Sequence, residues 1–301
     1  MTATPRHEPV MPAEVIALLE PSRGGLFVDC TTGLGGHSAR LLEAGADRLI
    51  GLDRDTAALA IAAERLRPFG DRVELVHADY RRLDEVLDAR GIAGVNGVLA
   101  DLGVSSMQLE AEGRGFTFRR DEPLDMRMDR TQGPTLADLL TDVDEEDLAN
   151  VIFQFGEERH SRRIARAIVR RRESGRIEST GELAELVRRA VPSRGYQRID
   201  PATRTFQALR IWVNHELEGL DAFVIDAVRA LREGGRLVII AFHSLEDRIV
   251  KHTARLLAKG EGPGDVRIRV LTKRPVIAGE AERDVNPRSR SAKLRAVERV
   301  A

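Results

Sequence analysis

The residues best suited to chemistry begin with Asp29-Cys30-Thr31-Thr32-Gly33-Leu34-Gly35-Gly36-His37, a run that follows an apolar stretch and leads into a helical one. Glycines let a backbone turn tightly and approach a ligand with no Cβ in the way. A helix opening there presents unpaired N–H groups. Such a loop alone fits several nucleotide-binding chemistries, and three details narrow it. A dinucleotide fingerprint needs Gly-x-Gly-x-x-Gly, and its last slot holds Ser38. No Gly-Lys-Ser/Thr run marks a phosphate loop. Asp53 stands 18 positions beyond Gly35, where a carboxylate can accept from both hydroxyls of a ribose. Asp79 and Tyr80 follow at the next strand end, in reach of an adenine edge or face. The set offers contacts for an adenosine and no clear site for a pyrophosphate. That suits S-adenosylmethionine better than NAD. The other reading of these acids is that they cap the helices behind them.

The elements that must position these groups alternate. Gly25–Thr31, Arg48–Asp53, Val73–Asp79 and Asn96–Asp101 read as strands, with helices over Gly36–Ala44 and Asp55–Leu66. This spacing implies parallel βαβ units with right-handed crossovers. From Gly103 to Arg130 no period is visible. Thr135–Val191 reads as helical, Pro192–Pro201 as a polar loop, and Thr205–Leu231 as helical with a break near Gly219. Strand signals return at Arg236–Phe242, Val266–Leu271 and Leu294–Val300. The expected fold is one α/β domain, its sheet built from both ends of the chain, interrupted by a mostly helical insertion.

Composition bounds the function. The apolar content, 42% of 301 residues, supports a large core, and a net charge of −1 supplies no global field for nucleic acid. Charge sorts locally instead: Glu110–Glu158 sums to −9, Arg159–Arg210 to +9 and Asn286–Ala301 to +4. The lone cysteine, Cys30, excludes a disulfide framework and suits a reducing cytoplasm. No leader-like N-terminus and no membrane-length apolar run is read. His7, His37, His160, His215 and His243 show no HExxH spacing, so no catalytic metal is expected.

Several further stretches resemble the bacterial MraW (ribosomal RNA small subunit methyltransferase H) family. They are HEPVM from His7, GLGGHS from Gly33, DLGVSSMQL from Asp101, RGF-F and PLDMRMD between Arg114 and Asp129, and FGEERHSRRIARAI from Phe155. They continue with PATRTFQALRIWVN-EL from Pro201, FHSLEDRIVK from Phe242 and NPRSRSAKLR from Asn286. Small departures fall at Asp200, Glu122 and Ala241, where the family has His, Gly and Ser. The resemblance implies a class I S-adenosylmethionine-dependent methyltransferase fold, Rossmann-like with a mostly parallel sheet. The methyltransferase domain would occupy 1–105 and 215–301, and a helical, RNA-recognising insertion 106–214. The resemblance also implies transfer of a methyl group to the exocyclic N4 of a decoding-centre cytidine in small-subunit ribosomal RNA. The partner would be that RNA in an assembled or nearly assembled small subunit, with a homodimer allowed. Matching places the cofactor contacts on Gly35, Gly36, His37, Asp53, Tyr80, Asp101 and Gln108, to which the loop and strand ends add Gly33 and Asp79.

For such a transfer, an acceptor that binds one N–H of the target amine would favour its pyramidal form. Asp101, at the end of the fourth strand, is the candidate, and it could equally hold the cofactor's methionine amine. His243, also at a strand end, is either catalytic or structural. Phe116 or Phe118 either stacks on an extruded base or plugs the core. Arg159, Arg162, Arg163, Arg166 and Arg170 fall on one side of a helical wheel, opposite Ile164, Ala165 and Ile168. No acid between 159 and 172 answers them, so that face, above all Arg159, Arg163, Arg166 and Arg170, is expected to meet phosphates. The competing readings are a methyltransferase for protein or small molecules, and a non-catalytic RNA-binding assembly protein.

Overall fold

The computed structural model describes residues 8–192, 199–263 and 266–300. His7 and residues 193–198 of the expected polar loop lie outside them. The chain forms two compact units, one from Met1–Gly103 with Leu217–Ala301, the other from Val104–Glu216.

The first unit is built on a seven-stranded sheet in the order β3-β2-β1-β4-β5-β7-β6. Its strands are β1 (Leu26–Asp29), β2 (Arg48–Asp53), β3 (Val73–His77), β4 (Val95–Asp101), β5 (Leu231–Ala241), β6 (Arg267–Val270) and β7 (Lys293–Val300). The first five pair in parallel, and β7 runs antiparallel between β5 and β6. Phe27, Val28, Ile50, Leu52, Val98 and Leu99 are all buried, as strands covered on both faces must be. Helices α1 (Pro12–Leu19), α2 (Gly36–Glu43), α3 (Thr56–Leu66) and α4 (Leu83–Asp88) belong to the first half of this unit.

The second unit is helical: α5 (Ser106–Glu110), α6 (Leu136–Asp142), α7 (Glu145–Gly156), α8 (Ser161–Arg172), α9 (Thr180–Ala190) and α10 (Ala202–Asn214). Its core holds Leu148, Ile152, Ile164, Ala165, Ile168, Leu183, Phe206 and Leu209. The aperiodic stretch before α6 is held by an isolated antiparallel bridge from Pro123 to Ser179 and by side chains. Asn214 accepts from Met128 N at 2.7 Å and donates to Met126 O at 2.8 Å. Phe116 is buried, and Phe118 packs edge-on against Phe206 at 4.7 Å, so both rings belong to the core. The departure at Asp200 accepts from Ala202 N at the start of α10 and pairs with Arg188 at 2.9 Å. The chain then returns to the first unit with α11 (Leu220–Ala230), α12 (Ser244–Lys259) and α13 (Glu280–Val285). Among the described residues no helix is long and apolar enough to cross a membrane.

Candidate active site

In this sheet the chain order reverses between β1 and β4, because β1 pairs with β2 on one side and with β4 on the other. Open α/β sheets bind ligands beyond the carboxyl ends of the strands at such a point. Asp29 closes β1 there, Asp53 closes β2 and Asp101 closes β4.

The glycine loop is shaped by these acids. Gly33 and Gly35 have φ of 52° and 76°, left-handed values that favour glycine. Gly33 N donates to Asp53 Oδ2 at 2.7 Å, which ties the loop to the end of β2. The other Asp53 oxygen accepts from Asp55 N at 2.8 Å. Burial pushes the Asp53 carboxyl up, against the lowering effect of these two amide donors. Asp55 in turn caps α3 by accepting from Ala57 N, so cap and candidate ligand are adjacent acids with separate tasks.

Asp29 opens the run singled out in the sequence, but no role of its own is read for it there. It is fully buried, accepts from Ser38 Oγ at 2.6 Å and from Thr31 N at 3.2 Å, and burial pushes its carboxyl up to about 6. The signal was an acid inside the apolar run Gly25–Thr31. Ser38, which argues against the dinucleotide fingerprint, is the hydroxyl that holds this carboxylate.

Asp101 is the most telling group. Its backbone N donates to Thr31 Oγ1 at 2.6 Å, which fixes β4 against the loop. Its Oδ2 lies 3.7 Å from His37 Nε2 in the first turn of α2. Its Oδ1 is buried with no hydrogen-bond partner among the described residues. Burial raises its carboxyl to about 7; the Arg288 cation lowers it, and Asp29 and Glu246 raise it further. A buried acceptor without a donor is unfavourable unless a ligand supplies one.

Other expected residues are occupied locally. Asp79 caps the turn Tyr80–Arg82 and is clamped by Arg81 at 2.6 and 2.8 Å, with Arg54 at 3.6 Å. Burial pushes this carboxyl up, but the arginines win and it sits below its ordinary range. The Tyr80 ring is buried edge-on against Phe223 at 4.7 Å, in the core rather than on an open face. His243 is the N-cap of α12: its Nδ1 accepts from Glu246 N, and its Nε2 lies 3.2 Å from Glu246 Oε1. Gln108 lies in the helical unit, where it closes a capping box with Ser105 at the start of α5. On α8, Arg162, Arg163, Arg166 and Arg170 are exposed over buried Ile164, Ala165 and Ile168. Two details differ from the wheel. Arg159 precedes the helix, which starts at Ser161 after the N-cap His160. Arg166 meets an acid after all, Glu145 of α7 at 3.3 Å, a contact between helices that no i+4 pattern reveals.

The site fits an S-adenosyl ligand. Asp101 Oδ1 is an acceptor waiting for a donor. A Cβ at Gly33 would meet only Thr31 O, at 3.8 Å, so the loop is open on that side. Asp53 stands at the next strand end.

The chain is similar to known proteins along nearly its whole length. The family model described as "MraW methylase family" matches residues 4–300. The chain is 50% identical over 307 residues to "Ribosomal RNA small subunit methyltransferase H" of Geotalea uraniireducens, covering 98% of both chains. It is 49% identical to the protein of that name from Sorangium cellulosum, over 98% of this chain and 91% of that one. It is 48% identical to the one from Nitrobacter hamburgensis, over 100% and 93%. A glycine loop held by strand-end acids at the reversal point of a 3-2-1-4-5-7-6 sheet, with identity of this extent from end to end, places the chain in the MraW methylase family.

Proposed function

We propose that this chain, a methyltransferase that uses S-adenosylmethionine, places the methyl group on the exocyclic N4 of a decoding-centre cytidine in 16S ribosomal RNA. In this reading it acts in the cytoplasm on an assembled or nearly assembled small subunit. The observation that carries the chemistry is Asp101, whose buried Oδ1 has no donor at the strand end where the ligand belongs.

When bound, the cofactor supplies a methyl group already activated by its sulfonium. The chain supplies position. Asp53 accepts from ribose hydroxyls, and the Gly33–Gly36 loop lets them approach. Asp101 takes the methionine ammonium rather than the target amine. A buried carboxylate with a raised pKa gains far more from a cation than from a neutral N–H. Holding donor and acceptor in line is then the main contribution to rate. Transfer to carbon C5 through a thiolate is disfavoured, because Cys30 is buried and burial pushes its thiol well up. The exposed arginines of α8, with Arg159 just before it, are proposed to meet RNA phosphates.

Labelled methyl transfer to small subunits, free RNA and free protein separates the readings. Nucleoside mass spectrometry of RNA from cells lacking the protein should show one N4-methylcytidine-type modification missing. Loss of 5-methylcytidine instead would overturn the amine mechanism.

A further inference from the structure

The strand register carries a line of residues from the site outward. Asp101 pairs with Ile240, Ile240 with Leu294, and Leu294 with Val276 across an isolated bridge. Val276 therefore stands level with Asp101, three inter-strand spacings away, roughly 14 Å. Beside this end of the line the chain is cationic. Arg267–Arg274 and Asn286–Arg295 together hold eight basic side chains and no carboxylate.

Most of these charges are neutralised or distant. Arg269 pairs with Glu298 at 2.6 Å, and Arg295 and Lys293 share Asp247 at 2.6 and 3.7 Å. Arg267 is exposed but pairs in register with Val300, at the other end of β7 from Leu294. Arg288 is half-buried, and its charge is felt at Asp101. Lys273, Arg274 and Arg290 remain. All three are exposed and none forms an ion pair among the described residues. Arg290 donates only to a backbone carbonyl, that of Arg283, at 3.0 Å. Lys273 and Arg274 sit where the chain leaves Thr272, which is bonded to Ala296, and before it rejoins β7 at Val276. Surface arginines elsewhere in this unit commonly find an acid, as Arg82 does with Glu85 and Arg229 with Asp226.

We infer that Lys273, Arg274 and Arg290 form a phosphate track that holds the substrate strand next to the target nucleotide, on the sheet-bearing unit itself. This rests on the RNA reading above and adds where the strand runs. Single-stranded nucleic acid is followed by lines of cations along its backbone, and exposed cations without acids keep their full charge for it. Residues that adjoin Val276 and Leu294 in the chain, beside the line level with Asp101, are placed to hold the nucleotides flanking a base delivered to the site.

The test measures binding of naked small-subunit RNA against salt. Replacing Lys273, Arg274 and Arg290 with Gln should flatten the slope of log K against log salt by about 2, at about 0.7 per lost contact. Arg267→Gln, at the far end of β7, should leave the slope unchanged. S-adenosylmethionine affinity and melting temperature should be unchanged in both. An unaltered slope in the triple variant, with a wild-type protein that still methylates ribosomal RNA, overturns the track and leaves the function standing. An equal effect from Arg267→Gln also overturns it, since the charge then acts as a general field. Weaker binding to whole subunits but not to naked RNA would assign these side chains to a protein contact instead. A wild-type protein that neither binds nor methylates RNA removes both readings.

Discussion

Ser38 Oγ donates at 2.6 Å to Oδ2 of Asp29, a carboxylate fully buried at the end of the first strand. The bond lowers the Asp29 pKa while burial raises it to about 6. Replacing Ser38 with Ala should destabilise the fold by about 1–3 kcal/mol. The loss should depend on pH. Without Ser38 the charged form loses support and the folded-state pKa climbs further. The folded state then holds the proton more tightly, and the added penalty is felt above about pH 6. Urea denaturation at pH 5 and pH 8 checks this: equal losses at both would show that the carboxylate is not the partner that matters.

Asp101→Asn should weaken S-adenosylmethionine by about 10- to 100-fold, the worth of one charge-assisted bond, and leave kcat at saturation nearly unchanged. A fall in kcat with intact affinity would move Asp101 to the target amine. In the wild type, affinity should rise through about pH 7 as the carboxyl ionises, and the Asn variant should be flat. Stability runs the other way. The folded pKa, about 7, lies above the ordinary 3.8, so the folded state binds the proton more tightly. Stability without ligand should decline from about pH 4 to pH 7, by something on the order of 4 kcal/mol if this group acted alone.

Asp53→Ala removes both a ribose acceptor and the anchor for Gly33 N. Calorimetry should show weaker binding of S-adenosylmethionine and S-adenosylhomocysteine, without added metal. Asp53→Asn keeps one acceptor and should fall between. Unchanged affinity with an intact fold would take Asp53 out of the site.

Gly35→Ala tests the loop's backbone. A Cβ there would lie 3.2 Å from Leu66 and 3.4 Å from Ala62, against α3 rather than in the open loop, at a φ of 76°. The left-handed conformation costs a side-chain-bearing residue about 1–2 kcal/mol. The melting temperature should therefore fall together with cofactor affinity. A normal melting curve would mean that the loop relaxes at no expense.

On α8, replacing Arg163 and Arg170 with Gln should flatten the salt slope of RNA binding by about 1.4 if each meets one phosphate. Arg166→Gln should have less effect on RNA, since Arg166 already faces Glu145. Thermal stability should hardly move in any of these, because Gln has nearly the helix propensity of Arg. A steep loss of stability would show that these side chains hold the helices together.

Strands β2 and β4 were legible because their apolar runs end in acids: Asp53 and Asp101 fall where the sequence puts them. The helix Ser244–Lys259 was not read, although its start is signalled by His243 three residues before Glu246. Histidine is an uncommon cap, and the same residue read equally well as chemistry. Asp79 and Tyr80 matched a position but not an environment. Only packing reveals that one is clamped by Arg81 and the other is set against Phe223. The Arg166–Glu145 pair was invisible for the same reason, since it joins two helices 21 positions apart.

The pairing of β4 with β5 joins Asp101 to Ile240 across the whole of Val104–Glu216. Sheet closure on that side must wait for an encounter between distant parts of the chain. Loop-closure entropy grows only slowly with length, by about 0.6 kcal/mol per doubling, so the delay is more kinetic than thermodynamic. The half-sheet β1–β4 carries the glycine loop, Asp53 and Asp101, yet one edge of β4 stays bare until β5 arrives. A bare hydrophobic edge is where chains join wrongly. Early compaction of the helical segment would shorten the effective loop and so the time for which that edge stays bare during synthesis.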